Sequence, residues 1–107
     1  MKGATWEREV AKMLAEVTGS DVRRGLGQTR SGGEVPDVVC PPYWVECKRG
    51  ARTSPKAALE QAVAAMAECG SDAFKVPVAV CKDDRRSPTV TMFLSDWLDM
   101  VRRLGDA

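Results

Sequence analysis

The sequence predicts an α/β fold in which a twisted mixed β-sheet is flanked by helices. Three observations lead there: a helical apolar stripe opens the chain, two strand-like runs meet at Pro41-Pro42, and an alanine-rich helical stretch leads into a further apolar strand. Taken along the chain, the elements run α-β-β-β-α-β-β-α, with no internal repeat and no low-complexity segment. At 107 residues and 11.6 kDa the chain suits one domain spanning 1–107, with a core of ~13 Å radius of gyration and no room for a second. A composition 44% hydrophobic and 29% charged is that of a folding chain and not of a disordered one.

From Gly3 to Val17, Trp6, Val10, Met13, Leu14 and Val17 recur at helical spacing, with Arg8 and Lys12 on the opposite side. Gly19 is placed to end that helix, and Asp21 to Thr29 reads as a strand interrupted by Gly25 and Gly27. Arg30 to Glu34 is loop by composition. Asp37–Cys40 and Tyr43–Lys48 then form a hairpin with a tight proline connection. Ser54-Pro55 reads as an N-cap with proline at the first helical position, and Lys56 to Cys69 as a helix with Leu59, Val63 and Met66 on one face, ended by Gly70. Val76–Cys81 is a buried strand, Lys82 to Pro88 a charged turn, and Thr89 to Leu94 another strand. Ser95-Asp96 then caps a last helix carrying Trp97, Leu98, Val101 and Leu104.

Sixteen basic against fifteen acidic residues leave a net charge of +1, so no global field announces a polyanionic partner and the distribution of charge must decide. Histidine is absent, which excludes Ser-His-Asp and Cys-His nucleophile systems and His-ligated metal. The four cysteines form no C-x-x-C pair and read as buried reduced thiols. No apolar run approaches the ~20 residues of a membrane span, and Met1-Lys2-Gly3 does not open a secretory signal, so a cytoplasmic protein without a membrane partner is expected.

The chemistry concentrates in the hairpin. Glu46 and Lys48, at i and i+2 of one strand, project to the same face, and a tight hairpin brings Asp37 opposite them. Two hard carboxylates with the main-chain carbonyl of Cys47 are what Mg²⁺ accepts while keeping waters for phosphate oxygens. A lysine beside such an ion orients a water and stabilises charge developing on phosphorus. Phosphodiester hydrolysis is the reaction these groups suit. For each residue a plainer role competes: Asp37 as a turn residue after proline, and Glu46 with Lys48 as a same-face ion pair. Trp44 on that face argues for partial burial, where charge needs a partner or a metal.

Pro36-Asp37 followed by Glu46-Cys47-Lys48 resembles the PD-(D/E)xK nucleases, and within them the archaeal-type Holliday junction resolvases and their small viral relatives. The likeness spans roughly the first two thirds of the chain: Lys2-Gly3, Glu7-Arg8, Ser31-Gly32, Pro36-Asp37, Glu46-Cys47-Lys48 and Gln61. It implies a restriction-endonuclease-like core. The site it implies has Glu7, Asp37, Glu46 and the Cys47 carbonyl holding Mg²⁺ or Mn²⁺, Lys48 as the catalytic lysine, Gln61 contributing from the next helix, and no small-molecule cofactor. Periodicity puts Glu7 and Glu9 on opposite borders of the first helix's stripe, Glu7 roughly 75° from its centre, and does not choose between them. The resemblance selects Glu7. It also implies a homodimer that cuts four-way DNA junctions symmetrically. Cysteine in the middle of the acid-x-lysine motif departs from the family pattern at a position where only the main chain is used, and Thr89 to Leu104 matches no catalytic element.

A nuclease surrounds its acidic centre with cations that hold the DNA backbone. Arg23, Arg24 and Arg30, with Ser31 of the loop, and Arg49, Arg52 and Lys56 beyond the hairpin flank the acids and form the expected DNA-binding set. Arg23 to Gly27 and Ser31-Gly32-Gly33 form a glycine-rich strip suited to backbone approach by a phosphate, without the Lys-Ser/Thr ending of a Walker loop. A restriction-like or repair nuclease on duplex or flap DNA, and a noncatalytic DNA-binding module, are the competing readings. Trp97, Leu98 and Met100, or Met92 and Phe93, are candidates for either a dimer interface or core.

Overall fold

The computed structural model describes residues 2–25 and 34–105. The elements are α1 (Lys2–Thr18), β1 (Arg23–Arg24), β2 (Val38–Cys40), β3 (Tyr43–Gly50), α2 (Pro55–Cys69), β4 (Val76–Asp83), β5 (Thr89–Thr91) and α3 (Leu94–Gly105). The expected order of elements and the expected fold class are both observed. Among the described residues the strands form one mixed sheet in the order β1-β2-β3-β4-β5. Only β3 and β4 run parallel, because α2 carries the chain back across the sheet between them. Their register sets Glu46 beside Ala79 and Lys48 beside Cys81.

Each face of the sheet is covered by one helix. Trp6, Val10 and Ala11 of α1 pack on Val38, Cys40, Val45 and Cys47. The Trp6 indole N–H donates to Val80 O at 3.2 Å, so burying the ring leaves no donor unpaired. On the opposite face, Ala58 and Leu59 of α2 pack on Ala79 and Cys81. Trp44 is fully enclosed on that side, its ring edge-on to Phe74 with centroids 5.1 Å apart. Losing either buried tryptophan would cost about 3–5 kcal/mol.

Several boundaries differ from expectation for identifiable reasons. Of the strand expected over Asp21 to Thr29, Arg23–Arg24 pairs with Val38–Val39, and residues 26–29 lie outside the described residues. Gly25 ends the pairing: its N–H donates to Asp37 O at 2.9 Å, and a Cβ there would stand 1.9 Å from Pro36 O. Its lack of a side chain serves close packing of backbone on backbone rather than approach by a phosphate. The other glycines of that strip, Gly27, Gly32 and Gly33, lie outside the described residues.

The inner face of α2 is Ala58, Leu59 and Ala62, while Val63 is exposed, because the small alanines are what let the helix lie close to the sheet. Ser54 stands at the N-cap, where its carbonyl accepts from Ala58 N at 3.0 Å but its hydroxyl caps nothing. Strand β4 runs two residues past Cys81, since Lys82 and Asp83 find partners in Arg49 and Gly50. Strand β5 stops at Thr91 and α3 already begins at Leu94, so Ser95 and Asp96 lie in its first turn instead of capping it. Asp96 there complements the positive end of the helix dipole.

Candidate active site

The site grows from the β2–β3 hairpin. Val38 pairs with Val45 and Val39 with Trp44, and the Asp37 N–H extends the ladder to Val45 O at 3.0 Å. Alternation puts Asp37 on the same face as Trp44, Glu46 and Lys48. Beyond the last paired residues β3 has an N–H in need of an acceptor, and the Asp37 carboxylate supplies it: Cys47 N donates to Asp37 Oδ2 at 2.9 Å.

Glu46 is the single buried charged or polar residue among those described, 4% exposed. Its Oε1 accepts from Trp44 Nε1 at 3.0 Å, and its carboxyl is within hydrogen-bonding reach of Asp37. Burial pushes the Glu46 carboxyl up to about 7; the Trp44 hydrogen bond opposes this, the neighbouring Asp37 charge adds to it, and Lys48 draws it back. Two carboxylates forced together in low dielectric repel, and a hard cation relieves both at once. Lys48 is half-buried on the same face, beside Cys81, with no carboxylate of the described residues at ion-pair distance.

The third expected acid comes from α1. Glu7 lies on the side of the helix that faces the hairpin: burial pushes the Cys47 thiol up and keeps it un-ionised, and the charges of Asp37, Glu7 and Glu46 add to this. Glu9 is exposed and lies toward Lys12, Lys82 and Pro88, so the structure brings Glu7 and not Glu9 to the hairpin. Glu7 is itself engaged: Arg24 Nε donates to its Oε1 at 3.0 Å, with both side chains largely buried. Among the described residues no group of three or more acidic or cysteine side chains is arranged to hold a metal ion. The donors that fit one are therefore Asp37 and Glu46 with the Cys47 carbonyl, and Glu7 stands adjacent in an ion pair.

The remaining expected residues disperse. Gln61 is exposed on α2 and makes no hydrogen bond to the acids. Arg23 is exposed and paired with Asp21. Arg49 is half-buried at the end of β3, while Arg52 and Lys56 are exposed where the chain enters α2. That entry is pinned, because Asp83 Oδ1 accepts from Thr53 N at 2.9 Å and from Thr53 Oγ1 at 2.6 Å, which holds the Asp83 carboxyl below its usual range. Arg30 and Ser31 lie outside the described residues.

Two cations outside the expected set share a groove with two that are in it. Arg8 and Lys12 join Arg23 and Arg24 around a groove of about 410 Å³ between α1 and β1. Their i, i+4 spacing opposite the apolar stripe was the signal for a shared cationic face.

A mixed sheet between two helices, with an acid leading one strand and an acid-x-lysine set on the next, defines the PD-(D/E)xK nuclease class. Over residues 1–106 the chain matches the family described as "Phage putative PDDEXK endonuclease", and it belongs to that family. No curated protein and no solved structure matches it.

Proposed function

We propose that this protein is a metal-dependent, structure-selective DNA endonuclease of Holliday junction resolvase type, acting as a homodimer in the cytoplasm. The observation that carries the nuclease reading is the Asp37–Glu46 carboxyl pair, one member buried with its carboxyl raised to about 7, sharing a sheet face with Lys48. Family membership supports DNA as the substrate class. Asp37, Glu46 and the Cys47 carbonyl would hold Mg²⁺ or Mn²⁺, and Glu7 is the nearby third acid. When bound, such an ion lowers the pKa of a water and neutralises charge on a phosphate. Lys48 orients the attacking water and meets the charge that develops on phosphorus. Trp44 holds Glu46 in one rotamer, and the Cys47 N–H does the same for Asp37. The groove of Arg8, Lys12, Arg23 and Arg24 would track the phosphate backbone.

Junction selectivity rests on the resemblance of the motif set to resolvases, and a general nuclease on duplex or flap DNA is the alternative. One experiment separates them. Purified protein is incubated with a labelled immobile four-way junction and with the matching linear duplex, in Mg²⁺ or in EDTA. Paired symmetric cuts confined to the junction and lost in EDTA are expected. Equal cutting of the duplex would reduce the reading to a general nuclease, and binding without cuts would leave a DNA-binding module.

A further inference from the structure

Helix α3 turns its apolar side to solvent. Leu94, Trp97, Leu98, Val101 and Leu104 fall on one stripe at the 3.6-residue period, and no residue of the helix is buried. With Val90 and Phe93 just before it, these side chains are 42–73% exposed. The polar side is satisfied within the helix, where Asp99 pairs with Arg102 and, at 3.1 Å, with Arg103. A 12-residue helix is marginal in water unless its apolar face is covered.

Beside the stripe lies a cavity of about 190 Å³ lined wholly by apolar side chains, among them Leu14, Tyr43, Val80, Val90, Met92 and Met100. An apolar recess open to solvent gains by taking up an apolar side chain in place of water. The seven exposed side chains leave on the order of 600 Å² of apolar surface, with the two aromatic ones at roughly 150–250 Å² each when whole and the leucines and valines somewhat less. That is the upper end of a monomer's largest patch and close to the ~800 Å² each partner contributes to a stable interface.

We infer that the β5–α3 face is the interface with a second copy of this chain, paired about a two-fold axis. Stripe and cavity sit side by side and share Val90, so each copy offers both a projecting apolar face and a recess to receive one, as an isologous contact requires. Met100 of α3 shares its cavity with Cys40 and Val45, on the α1 side of the sheet, whereas Asp37 and Glu46 project to the α2 side with Ala79 and Cys81, so pairing here leaves both acid pairs open. The inference deepens the homodimer of the proposed function and rests on it for its purpose, but its test does not depend on cleavage.

Sedimentation equilibrium of the full chain should give twice 11.6 kDa at tens of micromolar. Leu98→Glu with Val101→Glu, at positions exposed in the single chain, should give 11.6 kDa, with circular dichroism falling by no more than the uncovered α3 contributes and the signal of α1 and α2 kept. Trp97→Ala, which adds no charge, should weaken association about tenfold or more. Wild-type protein sedimenting as a monomer, or a dimer that persists unweakened in these variants, would overturn the interface. Cleavage of linear and junction DNA is scored separately. A dimer that cuts no DNA strikes the nuclease reading alone, and a monomer that cuts strikes the interface alone.

Discussion

Arg24 Nε sits 3.0 Å from Glu7 Oε1, so a cation placed by its sequence position among DNA contacts holds an acid placed among metal ligands. Both side chains are more than two-thirds buried, which makes the pair worth more than a surface contact, though still on the order of 1 kcal/mol. The ion pair therefore competes with any cation that Glu7 would serve. Arg24→Gln should release Glu7 and tighten Mn²⁺ binding about fivefold by calorimetry while weakening DNA binding. Unchanged metal affinity would remove Glu7 from the metal site.

Glu46 depends on one indole. The Trp44 N–H favours the carboxylate, so Trp44→Phe keeps a ring against Phe74 and withdraws the hydrogen bond. A hydrogen bond to a charged group is worth ~1.5–3 kcal/mol, and one pH unit corresponds to about 1.4. The acid limb of the pH–rate profile should consequently move up by about one unit or more in the variant. An unmoved limb would mean that Glu46 ionisation does not govern the rate.

The same group sets a stability dependence in metal-free protein. The Glu46 carboxyl is raised from 4.5 to about 7, so the folded chain binds a proton that the unfolded chain has released within that window. Its stabilising contribution is complete below pH 4.5 and is lost as pH rises through about 7. The loss is on the order of 3 kcal/mol, at about 1.4 kcal/mol per pH unit. Denaturant titrations in EDTA between pH 4.5 and 8 should show this decline, and Glu46→Gln should flatten it. Equal slopes in both proteins would assign the dependence to another group.

Much of this architecture was legible because it is local. The hairpin and the helices follow from spacing of two or of three and four residues, and from Pro55 and Gly70 at the ends of α2. Asp37, Glu46 and Lys48 share a face by alternation alone. What escaped is non-local: periodicity gives Glu7 and Glu9 equal claim, and only the packing of α1 on the hairpin turns Glu7 toward Cys47. The Arg24–Glu7 pair joins residues 17 apart and has no sequence signature. Hydrophobic patterning also misjudged α2, where alanines take the buried face that larger Val63 was expected to share. In α3 it marked the apolar side correctly, but periodicity says nothing of what covers it.

Gly25 couples fold and site. A methyl group at this position would meet Pro36 O at 1.9 Å and Pro36 C at 3.1 Å, and backbone atoms cannot rotate away. Gly25→Ala should therefore destabilise by about 1–3 kcal/mol, read as a lower melting temperature. Since Gly25 N also bonds to Asp37 O, the shift passes directly to the site acid. Cleavage should fall well below what the folded fraction explains, even at temperatures where the variant is fully folded. A variant with wild-type melting and wild-type rate would show that β1 yields without disturbing Asp37.

Arg8 and Lys12 offer the cleanest separation of binding from chemistry. Both are exposed on α1, form no ion pair among the described residues, and line the groove with Arg23 and Arg24. Each phosphate contact adds about 0.9 to the slope of log affinity against log salt. Replacing both residues with alanine should reduce that slope by about 1.8 and weaken binding alike across DNA sequences. Stability should change by no more than about 0.5 kcal/mol, and the rate at saturating DNA should hold, because neither side chain reaches Asp37, Glu46 or Lys48. Fluorescence anisotropy across a salt series measures the slope directly. An unaltered slope would place the DNA path off this groove and leave Arg49, Arg52 and Lys56, on the far side of the hairpin, as the cations that hold the backbone.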